Sequence, residues 1–242
     1  MEKSNSYFET VDKLSAWLQD KKNKDFSNKV MVVGIEGLCG SGKSTLSADL
    51  VFKVTNAGCE SLIIEADLFH FGRDTVHKLY SNVIDAIHAG YLQKCDFHHL
   101  ITWKTHQLQS QVLDKIKAFN ASNDTDIEMV VENVLTNKTN GTEHNESFQI
   151  SRKNIVFIPG TFLRYYNNLD FIIYLDIDPK ISIERKQART KNENILRSDE
   201  LTQNIISMLE QPTFEALNKK IARKPDAVVN MNDFEAVSFK LS

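Results

Sequence analysis

Eight consecutive residues, Gly37-Leu38-Cys39-Gly40-Ser41-Gly42-Lys43-Ser44, fit the pattern GxxxxGK[ST], and Thr45 follows them. Glycines let a backbone bend so that several N–H groups converge on one point, and a helix that starts there adds its positive end. Together these features make a cradle for phosphate oxygens. The lysine of such a run reaches the terminal phosphates of a nucleoside triphosphate, and the Ser44 hydroxyl suits a Mg2+ ion. The run lies directly after a short apolar segment and directly before a helical pattern, as that chemistry requires. Residues 37–45 are therefore expected to bind a nucleoside triphosphate.

Asp67 stands just past the apolar run Ile63-Ile64. A carboxylate at the carboxyl end of a parallel strand points into the crevice where ligands of open α/β sheets bind. There it suits two tasks, taking a proton from an attacking hydroxyl or helping to hold Mg2+. The plainer alternative is a helix N-cap. Arg185 and Arg189, four residues apart after Asp178-Pro179, share one helix face. Cations so placed offset the charge of a transferring phosphoryl group, and a solvated basic face fits their spacing equally well. A GTPase is disfavoured: the chain has no DxxG, and Asn137-Lys138-Thr139-Asn140 lacks the carboxylate that would read guanine.

These groups need a scaffold. Short β-branched apolar runs at residues 30–34, 61–66, 155–158, 171–175 and 227–229 read as buried parallel strands. Helical spacing of apolar residues covers 7–18, 44–55, 75–89, 103–119, 179–189 and 199–217, the last interrupted at Pro212, and residues 20–29 read as a charged linker. The alternation predicts an α/β chain with a mostly parallel sheet and helices on both faces. Residues 128–135 and 148–150 flank Asn140-Gly141, a strong turn signal, and read as an antiparallel hairpin or else a loop, within an insertion spanning 120–151.

Composition narrows the classes. The 242 residues are 41% apolar and 25% charged, so the chain is globular and large enough for a sizeable core. With 29 basic against 32 acidic residues it has no footprint for nucleic acid, which argues against a polynucleotide kinase. Cys39, Cys59 and Cys95 have no zinc or disulfide spacing, and no apolar run spans a membrane. The start lacks a signal peptide's apolar region, so a cytoplasmic protein with no membrane partner is expected.

On the residues quoted, the chain resembles the uridine kinase and phosphoribulokinase family of P-loop small-molecule kinases over about residues 30–237. Residues 34–45 are similar to that family's opening strand and phosphate loop, Asp67-Leu68-Phe69-His70 to its Asp-x-Phe-Tyr segment, and 155–163 to its Val-Glu-Gly-Ile segment. The resemblance implies one three-layer P-loop kinase domain, with an N-terminal helix and linker over 1–28, a β-hairpin, and a lid over 179–198. It further implies ATP and Mg2+ as cofactors and a small hydroxyl compound as acceptor. Lys43, Arg185 and Arg189 would act on the phosphates, Asp67 as base, Ser44 and Asp67 on the metal, and Asn230 near the adenine. His70, Asp96 and Arg164 would face the acceptor, and a homo-oligomer is left open. Pro159 stands where the family has Glu, Thr190 replaces an Asp, and Asp96-Phe97-His98-His99 is the nearest match to its acidic substrate segment. The acceptor is thus open among nucleosides, pantothenate, glycerate and sugar phosphates, and the alternative is an ATP-binding regulatory module.

Overall fold

The computed structural model describes residues 4–94, 105–137, 141–192, 198–220 and 223–241. Asp96, His98, His99, Trp103, Asn140 and residues 193–197 of the expected lid lie outside them. The strands are β1 (Met31–Gly37), β2 (Ser61–Ile63), β3 (Asp126–Asn137), β4 (Thr142–Ser151), β5 (Ile155–Gly160), β6 (Phe171–Asp176), β7 (Ala227–Asn230) and β8 (Ser238–Leu241). The helices are α1 (Asn5–Asp25), α2 (Lys43–Asn56), α3 (Arg73–His88), α4 (105–121), α5 (Pro179–Asn192) and α6 (199–220).

The chain is α/β. Six strands run in the order β2-β5-β1-β6-β7-β8, parallel except for β8 against β7. β1 lies between β5 and β6, and all seven of its residues are buried, which is why its run is apolar throughout rather than alternating. Its residues still divide between two cores. Met31, Val33 and Ile35 pack with α1, α2 and Phe214 and Leu217 of α6, whereas Val32, with Val30 just before the strand, packs with α4, Phe69 and the hairpin. A smaller cluster joins Val76, Tyr80 and Ile84 of α3 to Ile205 and Leu209 of α6.

Residues 128–135 and 148–150 do pair, as the hairpin β3–β4. Met129, Val131, Val134 and Ile150 anchor it to the second core, and a bulge between Val131 and Val134 places Asn133 at φ 56°. Helix α4 covers the β3 edge: Gln111 bonds both main-chain groups of Glu132, and the Lys115 ammonium donates to Val130 O at 2.7 Å. That guards an edge otherwise open to another strand.

Several boundaries depart from expectation. Helix α1 continues to Asp25, through most of the expected linker, because Lys22 is buried and its ammonium donates to Phe26 O, Lys29 O and Arg152 O at 2.7–2.8 Å. β2 ends at Ile63 and a short 3-10 turn, Ala66–Phe69, follows. α6 passes through Pro212 without a break. A π-turn at Ile205–Glu210 stands just before the proline. β8, at the sheet edge, was not foreseen, since its run Ser238–Leu241 is too short and polar to stand out.

Candidate functional site

The glycine-rich run leaves the carboxyl end of β1, the middle of the sheet, and turns into α2 at Lys43. Space dictates its glycines. A Cβ on Gly37 would lie 2.7 Å from Ser41 Oγ and 2.9 Å from Leu175 O. Gly40 has φ +86°, and a Cβ there would lie 2.9 Å from Ser182 O of α5. The neighbouring helix therefore seats directly on the loop, and the Ser182 hydroxyl donates to Cys39 O. Gly42, at φ 99°, caps α2 without a side-chain bond, leaving the first turn of a 14-residue helix open, with Ser44 and Thr45 exposed on it. Leu38 and Ser41 are buried beneath the bend, and Ser41 Oγ has no hydrogen-bond partner among the described residues.

Lys43 donates from Nζ to Gly37 O and Leu38 O, both at 2.9 Å, so its ammonium closes the ring of the loop. Burial lowers its pKa; the fields of Cys39, Glu210 and Asp67 work in the opposite direction, and Lys186 adds to the lowering. The fields of two carboxylates from distant parts of the chain thus reach one lysine. Glu210, 4% exposed at the end of the α6 π-turn, accepts from the Cys39 N–H at 2.9 Å.

Asp67 sits in the Ala66–Phe69 turn beyond β2, with its side chain half exposed. Its Oδ1 is 3.8 Å from His70 Nε2. The turn is held from below by Phe69, which is fully buried, and His70 N donates to Asp67 O at 3.2 Å. Gly141, at the tip of the hairpin, approaches the loop after His70 so closely that a Cβ there would be 3.3 Å from Gly72 Cα. The hairpin therefore walls the side of the crevice next to Asp67.

Of the two arginines on α5, Arg185 is half-buried beside the loop and donates from Nη2 to Met231 O at 3.0 Å, just past β7. Burial lowers its pKa. Arg189, one turn on, is exposed, and Thr190 is buried and donates to Lys186 O. Asn230 lies exposed at the carboxyl end of β7, where its Oδ1 accepts from Asn232 N at 3.0 Å.

Arg164 occupies a different setting from the acceptor-facing one expected of it. It is buried in the turn after β5; its Nε donates to Glu36 Oε1 at 2.6 Å, its main-chain N to Glu36 Oε2 at 2.9 Å, and its Nη1 to Asn218 Oδ1 at 2.8 Å. The guanidinium also lies over the Tyr174 ring, 5.6 Å from its centre. Glu36, fully buried, has its pKa raised by burial, with Arg164 acting against that rise. The pair underpins the residue before Gly37, so Arg164 braces the loop from beneath. Pro159 is buried in β5 opposite Ile35, and leaves that strand end without an acid.

Glu36, Ser182, Lys186, Glu210 and Asn218 were not among the expected site residues. A charge inside the apolar run Val32-Val33-Gly34-Ile35-Glu36 was a legible signal for Glu36. For Glu210 the signal was weaker: an acid four residues after Ile206, on an apolar helix face.

Solved structures share this fold. D-glycerate 3-kinase from Cryptococcus neoformans superposes with a TM-score of 0.63 at 13% identity, over 96% of this chain and 99% of that one. The fold is that of the P-loop kinases. A protein described as a possible uridine kinase from Bacillus stearothermophilus matches at TM-score 0.55 and 16% identity, over 88% and 92%. YFH7 from Saccharomyces cerevisiae, a proposed P-loop containing kinase with a circular permutation, matches at 0.57 and 13%, over 92% and 99%. The expected likeness to the uridine kinase type is met at the level of the P-loop kinase fold. No family model and no curated protein matches the chain by sequence. Among the described residues no helix is long and apolar enough to cross a membrane.

The loop fits a bound polyphosphate on its own geometry: glycines where a Cβ would collide, open N–H groups at a helix start, and a lysine in their midst. Among the described residues no three His, Cys, Asp or Glu side chains group to hold a metal ion. Side chains present that could join phosphate oxygens in holding a Mg2+ ion are the exposed Ser44 hydroxyl on the first turn of α2 and the half-exposed Asp67 carboxylate.

Proposed function

We propose that this protein is an ATP-dependent phosphotransferase that moves the γ-phosphoryl group to a hydroxyl of a small metabolite. The observation that carries the reading is the convergence of Lys43, the loop amides and Asp67 at the carboxyl edge of one sheet. Residues 37–45 would hold the phosphates, with Ser44 and Asp67 toward Mg2+, whose part is to draw charge from the phosphate oxygens. Lys43 contributes a fixed positive charge in a dry setting, where it acts more strongly than in water. Asp67 accepts the proton of the acceptor hydroxyl, with the His70 ring 3.8 Å from its Oδ1. Arg185 lies where α5 meets the loop and the end of β7, so a small movement of α5 would carry its cation over the phosphates.

The names of the structural neighbours put nucleosides and D-glycerate at the head of the acceptor panel, with pantothenate and sugar phosphates after them. A regulatory ATP-binding module is the second reading, favoured by Pro159 at a strand end that offers no acid. The test is acceptor-dependent ADP release with Mg·ATP, alongside calorimetry of ATP. Asp67→Asn is expected to lower turnover by roughly 10²- to 10⁴-fold while ATP affinity stays within about threefold. ADP release that no acceptor stimulates favours the module; wild-type turnover in Asp67→Asn removes Asp67 as base.

A further inference from the structure

Glu210 is out of place for a protein that grips a polyanion. Its carboxylate is buried and bonded at 2.9 Å to the N–H of Cys39, inside the loop that would take the phosphates. Its position is held from behind. Ile205 and Leu209 of the same π-turn pack on Val76, Tyr80 and Ile84 of α3, and Thr213 Oγ1 donates to Leu209 O at 2.7 Å. π-turns of this kind cost helix regularity and recur at functional sites. The side chain is thus aimed at the loop by a rigid support.

We propose that Glu210 is a charge filter: it makes the loop accept a nucleotide whose phosphates carry a divalent cation and reject the same nucleotide without one. This rests on the reading of the chain as an ATP-dependent enzyme. The physical reason is simple. A carboxylate in a dry setting repels each added phosphate charge far more than it would in water. Metal-free ATP brings about four negative charges at neutral pH, and one divalent cation halves them. Lys43 and Lys186 attract both forms, while Asp67 and Glu210 oppose both, so the balance turns on the ligand's net charge. The glutamine variant separates the two roles of the side chain, since its amide oxygen still accepts from Cys39 N–H while the charge is gone.

Calorimetry with ATP in excess Mg2+ and in excess EDTA, on wild type and Glu210→Gln, tests this. The wild type is expected to bind Mg·ATP at least about tenfold more tightly than metal-free ATP, and Glu210→Gln to narrow that ratio by roughly tenfold, chiefly through tighter metal-free binding. Inorganic tripolyphosphate should reproduce the wild-type preference without the base. An equal affinity of the wild type for both forms, or an unchanged ratio in Glu210→Gln, overturns the filter and leaves the kinase reading standing. No binding of Mg·ATP by the wild type overturns both. Where circular dichroism shows Glu210→Gln unfolded, the wild-type comparisons with ATP and tripolyphosphate decide.

Discussion

The two edges of the central sheet handle buried charge differently. At the amino edge each charge or amide is matched to main-chain groups. Lys22 donates to three carbonyls, Asp170 and Asp226 accept from Val32 N and Ile172 N, Asn120 exchanges two bonds with Val30, and Arg152 donates to four carbonyls. These bonds join α1, the hairpin and the strand starts. At the carboxyl edge side chains that can carry charge also meet one another: Glu36 pairs with Arg164, Asp67 Oδ1 lies 3.8 Å from His70 Nε2, and the fields of Asp67 and Glu210 reach Lys43, although Lys43, Glu210 and Arg185 bond main-chain groups as well. A charge bonded only to its own backbone has little left for a ligand. Charges that balance each other across a crevice can exchange a partner for one.

The largest effect that would sharpen this contrast is expected at the carboxyl edge. Arg164→Met leaves Glu36 buried and unpaired, and should cost about 3–5 kcal/mol of unfolding free energy, read by urea denaturation. Adding Glu36→Gln should restore most of it, because two neutral groups need no counterion there. If the double variant is no better than the single one, the pair is not the unit it is taken to be.

Gly40→Ala comes next. Its positive φ and the 2.9 Å approach to Ser182 O predict a loss of about 1–3 kcal/mol in stability. Calorimetry should show ATP affinity falling at least about tenfold, since the loop and α5 must part to admit the methyl group. Unchanged affinity would mean that the seating of α5 on the loop does not shape the phosphate cradle.

The smallest effect belongs to the amino edge. Burial pushes the Asp170 carboxyl up to about 6. A carboxyl group raised in the folded state binds its proton more tightly there than in the unfolded chain. Its contribution to stability therefore falls as pH rises from the ordinary aspartate range through 6. Asp170→Asn should gain about 1–2 kcal/mol over wild type at pH 7–8, somewhat less than the shift represents because the amide accepts more weakly from Val32 N–H. Below about pH 4 thermal melts of the two should converge. Nucleotide affinity at pH 7–8 should not respond, and a change there would break the division between the edges.

How far the site could be read in the sequence follows from the kind of restraint each residue obeys. The loop was legible because its requirements are local: glycines where a Cβ cannot go, and a lysine and hydroxyls at the head of a helix. Asp67 was legible through its place just past an apolar run, although the strand proved to end at Ile63 with a short turn between. Arg164 was misread as acceptor-facing because nothing near it in the chain announces Glu36, 128 residues away. The passage of α6 through Pro212 was likewise hidden, since a π-turn has no apolar period of its own.

Apolar periodicity and one glycine-rich run were enough to dictate an α/β chain, a parallel sheet and the place of a candidate phosphate cradle, and to leave the hairpin as one of two readings, because strand burial, helix spacing and backbone clearance act between near neighbours. The company that cradle keeps came only with folding. Glu210 reaches Cys39 across 171 residues, and α5 seats Ser182 on Gly40. Such contacts depend on how helices pack over a finished sheet, and that packing leaves no local trace in the order of residues.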